Sequence, residues 1–152
     1  MNGEAIKGER ELEIFAEFVR LSGNPIHMAS VAKRLPPEPD ILCTHDEAGL
    51  VAFELVELCD PNLAQAFANP SRPGNDYVRT SDPSAWIIQK KLRKSYRTDH
   101  PIELLCYTDG RIITPANVIL PTIRPRLRSF NHVFRRAWLL SKQQVFVVWN
   151  DA

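Results

Sequence analysis

The chain has 152 residues, of which 44% are hydrophobic and 24% charged, with a formal net charge of +1. That length predicts one domain, residues 1–152, able to bury about two-thirds of its surface. No apolar run follows a basic start, and no stretch approaches the ~18 apolar residues of a membrane span, which argues against a membrane partner and predicts a cytoplasmic protein. Cys43, Cys59 and Cys106 are odd in number, lie in or beside predicted strands and lack paired ligand spacing, so they read as reduced thiols. His27, His45, His100 and His132 offer no helical pair suited to zinc.

The predicted elements begin with an amphipathic helix from Gly8 to Leu21. At 100° per residue, Leu12, Ile14, Phe15, Ala16, Phe18 and Val19 share one broad face. Glu11 falls within that face. It is either a solvated first-turn acid favoured by the helix dipole or a carboxylate aimed at a site. Ser22-Gly23-Asn24-Pro25 stops the helix, and residues 26–38 are ambiguous between a short strand and a helix. Proline-rich Leu35 to Pro39 then leads into two apolar strands, Ile41–Cys43 and Leu50–Leu58, joined by the turn His45 to Gly49.

Asn62 to Ala68 reads as one or two helical turns, and Asn69 to Asp76 has loop chemistry suited to a mobile flap. Ser81-Asp82-Pro83 predicts a helix start, with a stripe of Ala85, Ile88, Leu92 and Tyr96 carrying the helix to about Tyr96. On that helix Lys90, Arg93 and Lys94 face away from the stripe. Lys91 flanks it closely enough to reach toward whatever the helix covers. Ile102–Tyr107 is a strand, Thr114-Pro115 starts a short helix, and Pro121 and Pro125 predict a broken segment carrying Arg124, Arg126 and Arg128. Two strands, Ala137–Leu140 and Val145–Trp149, close the chain, the last of them a possible dimer edge. Trp86, Trp138 and Trp149 read as core or rim packing.

Two features stand out. Asp40 opens the first hairpin strand, and Glu54 lies inside the apolar run Val51 to Val56. Burying an unpaired carboxylate costs several kcal/mol, so Glu54 needs a partner. The second is a charge asymmetry. Residues 1–85 hold 7 Lys/Arg and 14 Asp/Glu, and residues 86–152 hold 12 and 4, giving nets of −7 and +8. Such halves suit either an acidic site beside a nucleic-acid-binding surface or mutual attraction within the fold.

Pro39-Asp40 at the head of one strand, Glu54 in the next, an early helix and a basic helix after the hairpin together resemble the PD-(D/E)XK nuclease superfamily over about residues 9 to 107. The resemblance implies an α/β, restriction-endonuclease-like αβββαβ core with a central mixed sheet flanked by helices. It implies Asp40 and Glu54 as ligands of magnesium or manganese, Glu11 as an accessory acid, and hydrolysis of phosphodiester bonds in DNA. The family's lysine two positions after the second acid is here Val56, and Lys91 is placed to substitute for it. Lys90, Arg93, Lys94, Arg124, Arg126 and Arg128 would contact phosphates. Two alternatives stay open: an inactive nuclease-fold module that binds nucleic acid or protein, and an unrelated α/β domain whose strand acids form structural ion pairs.

Overall fold

The structure is a computed structural model that describes residues 3–68 and 80–151; the predicted flap at Asn69 to Asp76 lies outside the described residues. Among the described residues, one six-stranded mixed sheet is flanked by four helices. In chain order these are α1 (Gly3–Ser22), β1 (Ile26–Lys33), β2 (Ile41–His45), β3 (Gly49–Glu57), α2 (Pro61–Ala68), α3 (Ser84–Leu92), β4 (Ile102–Tyr107), α4 (Ala116–Ser129), β5 (Phe134–Ser141) and β6 (Gln144–Asn150). The strands lie in the sheet in sequence order. The β1–β2, β2–β3 and β5–β6 pairs are antiparallel, while β3–β4 and β4–β5 are parallel, so helical crossovers lead into β4 and β5.

The parallel strands are covered on both faces, which explains their continuous apolar runs. All of Val51 to Val56 and all of Ile102 to Tyr107 are buried. On one face Val56, Leu104 and Leu139 pack with Ile88 and Leu92 of α3 and Ile119 and Ile123 of α4. On the other, Phe53, Leu55, Leu105 and Trp138 pack with Ile14, Phe15 and Phe18 of α1. Phe15 meets Phe53 edge-on at 4.9 Å between ring centroids, and Phe18 meets Trp138 at 5.3 Å.

Several elements depart from their predicted form. The ambiguous 26–38 stretch supplies an edge strand, β1, whose register shifts between His27 and Ala32. Helix α3 starts at Ser84, one turn past the expected cap, with Asp82 accepting hydrogen bonds from the Ser84 amide and hydroxyl. It ends at Leu92, well before Tyr96. The predicted break at Pro121 and Pro125 is instead a continuous 14-residue helix, α4. Its buried residues Ile119, Leu120, Ile123 and Leu127 hold it against the sheet, while Asn117, Pro121 and Pro125 are exposed. The carbonyls of Asn117 and Pro121, which lose their helical donors to the prolines, can therefore be solvated.

Candidate functional site

The hairpin ladder between β2 and β3 ends at the Ile41–Phe53 pair. The next opposed residues are Asp40 and Glu54, and here side chains replace strand-to-strand bonds. The Leu55 amide donates to Asp40 Oδ2 at 2.9 Å, and the Asp40 amide donates to Glu54 Oε1 at 3.1 Å. Beyond this point β2 has left the sheet, whereas β3 continues beside β4 to Glu57. The acid pair thus marks the fork where two strands part.

Glu54 points toward α3 and is 2% exposed. Its Oε2 accepts hydrogen bonds from Lys91 Nζ at 2.8 Å, Tyr96 Oη at 3.1 Å and Lys94 Nζ at 3.4 Å. Burial pushes the Glu54 carboxyl up. The charge and hydrogen bond of Lys91, helped by Asp40 and Lys94, outweigh burial and hold it below the ordinary range. Asp40 behaves oppositely. Burial, then the negative charge of Glu54, raises its carboxyl to about 6, with Glu11 adding to the effect and the Leu55 amide opposing it. Glu54 is therefore the member that stays ionised, and Asp40 the one that takes up a proton first.

On the α1 side, Glu11 is buried at 5% exposure and accepts from Lys33 Nζ at 3.0 Å, which settles its reading against a solvated acid. The same ammonium lies 3.9 Å from Asp40 Oδ1. Three carboxylates from α1, the head of β2 and β3 therefore meet three ammonium groups, Lys33, Lys91 and Lys94. A cleft of about 500 Å³ opens beside them, lined by Lys7, Arg10, Glu11, Val56, Lys91 and Arg111 among others.

Of the expected site residues, the fold brings together Asp40, Glu54, Lys91 and Glu11. Val56 is buried against α3 and α4, so β3 offers no lysine there. Lys94, with its side chain 47% exposed, turns toward Glu54 instead of facing away from the stripe. The helix ends at Leu92, the Lys94 amide bonds to the Lys91 carbonyl, and the turned chain carries its side chain to Glu54. Arg124 is likewise engaged elsewhere, donating to the Val147 and Val148 carbonyls of β6. Arg126 donates to the Thr122 carbonyl within α4. Lys90, Arg93 and Arg128 are exposed.

Sequence reasoning missed Lys33 and Tyr96. Recognising β1 as antiparallel to β2 would have found Lys33, because Lys33 pairs with Ile41, the neighbour of Asp40. It also missed Glu103 on β4, 2% exposed, which accepts from Arg135 Nη2 at 2.7 Å and Trp138 Nε1 at 2.7 Å and reads as a satisfied structural acid.

Among the described residues, no group of three or more His, Cys, Asp or Glu side chains is arranged to hold a metal ion. The Asp40–Glu54 pair still has the donor chemistry of a hard divalent cation. It is all oxygen, the Asp40 side chain is 26% exposed, and burial and then like charge raise the Asp40 carboxyl. Magnesium keeps several waters and commonly takes only one or two carboxylates, so two protein ligands fit it. In comparisons with known proteins, no family model, no curated protein and no solved structure matches this chain.

Proposed function

We propose that the protein is a divergent metal-dependent nuclease that hydrolyses phosphodiester bonds, with DNA as its substrate. The observation that carries this reading is the convergence of Asp40 and Glu54 at the β2–β3 fork, with Lys91 from the following helix 2.8 Å from Glu54. The order α1–β1–β2–β3–α3–β4, three antiparallel-linked strands followed by a parallel one, supports an αβββαβ nuclease core. Asp40 and Glu54 would hold magnesium or manganese, with Glu11 as a further acid nearby. When bound, such an ion polarises the scissile phosphate and lowers the pKa of its water.

The chain's own residues supply the rest. Lys91 lines the cleft and presents a fixed positive charge to a phosphate there, the role left vacant by Val56. Glu54 holds that ammonium in place. Asp40, its carboxyl raised to about 6, is mostly ionised at neutral pH and would offer Oδ1, the oxygen not bonded to the Leu55 amide, to a cation. Lys33 balances the charge of Glu11.

A second reading has its own support. Glu54 Oε2 already has three donors, and Asp40 and Glu54 each satisfy the other strand's backbone or side chain, as they would in a fork kept only for structure. That reading makes the protein a non-catalytic nuclease-fold module that binds nucleic acid or protein. Incubation with plasmid and linear DNA, with magnesium, manganese or EDTA, separates the two. The nuclease reading expects metal-dependent cleavage that falls about 100-fold or more in Asp40→Asn, Glu54→Gln and Lys91→Met. Cleavage at the wild-type rate in Asp40→Asn overturns it. DNA binding without cleavage, unchanged by these substitutions, favours the second reading.

A further inference from the structure

Trp86 is the exception among the tryptophans. Trp138 is buried at 8% exposure and hydrogen-bonded to Glu103, whereas Trp86 on α3 is 65% exposed. A wet indole leaves a large apolar surface unburied. Its surroundings are not those of an apolar docking patch. Lys90 follows Trp86 by one turn and Arg93 by two, so the three share one stripe of the helix and its C-cap. Lys90 Nζ lies 5.4 Å from the Trp86 ring centroid. The stretch 84–98 carries Lys90, Lys91, Arg93, Lys94 and Arg97, with no Asp or Glu. An exposed aromatic ring at the head of an all-cationic stripe matches a partner that is both a polyanion and a source of flat rings.

We propose that this outer stripe of α3 is a platform for single-stranded nucleic acid, with Trp86 stacking on a base and Lys90 and Arg93 meeting the adjoining phosphates. Every base has a π-face, but in a duplex those faces are already stacked, so the ring selects an unpaired strand. Lys90 supports both states, lying against the indole in the free protein and turning to phosphate in the complex. Trp86 and Lys91 are five residues apart on the same helix, an axial rise of about 7.5 Å. At 100° per residue they are also about 140° apart around it, so the stripe lies on a different face of α3 from the ammonium that touches Glu54. The assignment of the stripe as a substrate platform rests on the nuclease reading, and binding itself is tested without catalysis.

The test is fluorescence anisotropy of a short labelled oligonucleotide with EDTA present, so that binding is read alone. Trp86→Ala weakens single-strand binding by roughly 5- to 150-fold, and Trp86→Phe retains most of it. Far-UV circular dichroism confirms that both variants fold, as expected for an exposed position. The proposal is overturned if Trp86→Ala binds the single strand as tightly as wild type. It is also overturned if wild type prefers the matching duplex at equal salt. Loss of binding to phosphatidylserine vesicles in Trp86→Ala, with oligonucleotide binding intact, assigns the stripe to membranes and overturns it too. Trp86-dependent binding by a protein that cuts nothing leaves the platform standing and removes only the nuclease reading.

Discussion

The Asp40 carboxylate accepts one hydrogen bond and is disfavoured as an anion by burial and by two like charges. Its carboxylate accepts the amide of Leu55, a residue only 3% exposed, while Glu54 and Glu11 disfavour its charge. Asp40→Ala leaves that buried amide without an acceptor and should cost about 1–3 kcal/mol in urea denaturation. Asp40→Asn keeps an oxygen there and removes the charge, so at pH 7 its stability should match or exceed wild type. The pH dependence has a definite sign. The ordinary value of the carboxyl is 3.8 and its folded value about 6, so between them the folded chain holds a proton that the unfolded chain has released. Stability from this group is therefore lost as pH rises through that window. Glu54 acts oppositely, its stabilisation being lost as pH falls below the ordinary carboxylate range. The advantage of Asp40→Asn over wild type should widen from pH 4.5 to pH 7; a constant difference would show that Asp40 is not the titrating group.

The acid pair was legible in the sequence because a carboxylate inside an apolar strand is an anomaly that only a partner can relieve. Lys33 was not, since edge strand β1 is mostly solvent-facing and carries a register shift, so its alternation is blurred. Lys94 was misplaced for a different reason. A helical wheel extended past the last helical residue assigns directions the backbone no longer follows.

At the level of elements, α4 shows tertiary burial overriding local preference. A proline in a helix interior costs about 3 kcal/mol relative to alanine, and α4 contains two. Burial of Ile119, Leu120, Ile123 and Leu127 offsets this, at roughly 1.5–3 kcal/mol per large side chain. Pro121→Ala should restore the amide donor to the Asn117 carbonyl and raise unfolding free energy by about 1–2 kcal/mol, after allowing for the greater freedom of the unfolded chain. A lower melting temperature for Pro121→Ala would show that the helix depends on the proline. The composition of this stretch announced a break because prolines signal locally, whereas the four buried positions act only once the sheet is present. The β5–β6 hairpin was legible as a turn, but its form was not: Lys142 and Gln143 both adopt positive φ, at 50° and 63°, without a glycine.

Across the whole molecule, one sheet separates two cores that share β3, β4 and β5. Phe18→Ala on the α1 face should cost about 3–5 kcal/mol, and Ile123→Ala on the α4 face about 2–5 kcal/mol. Because both cores stand on the same strands, each substitution should lower one common transition. Coincident near- and far-UV circular dichroism melts would show this, and separate transitions would show independently folding layers. The opposite charges of the two halves are partly accounted for within the fold. Lys91–Glu54, Lys94–Glu54 and Arg111–Glu57 each pair a base of the basic half with an acid of the acidic one. Lys90 and Arg93 on the outer stripe of α3 take part in none of these pairs and are exposed to a partner.

The fork where β2 and β3 part also bears on how variants of this protein are to be judged. Because the Asp40 carboxylate completes the backbone bonding of β3, a mutational scan scored only on protein abundance will reject apolar residues at position 40 and accept asparagine. It will do so whether or not the protein cuts anything. Intolerance at that position is thus a report on folding. Lys91 is 23% exposed, and Glu54 keeps Lys94 and Tyr96 when Lys91 is removed, so abundance and activity can diverge there. Position 91 is where a scan scored both ways would tell a catalyst from a scaffold.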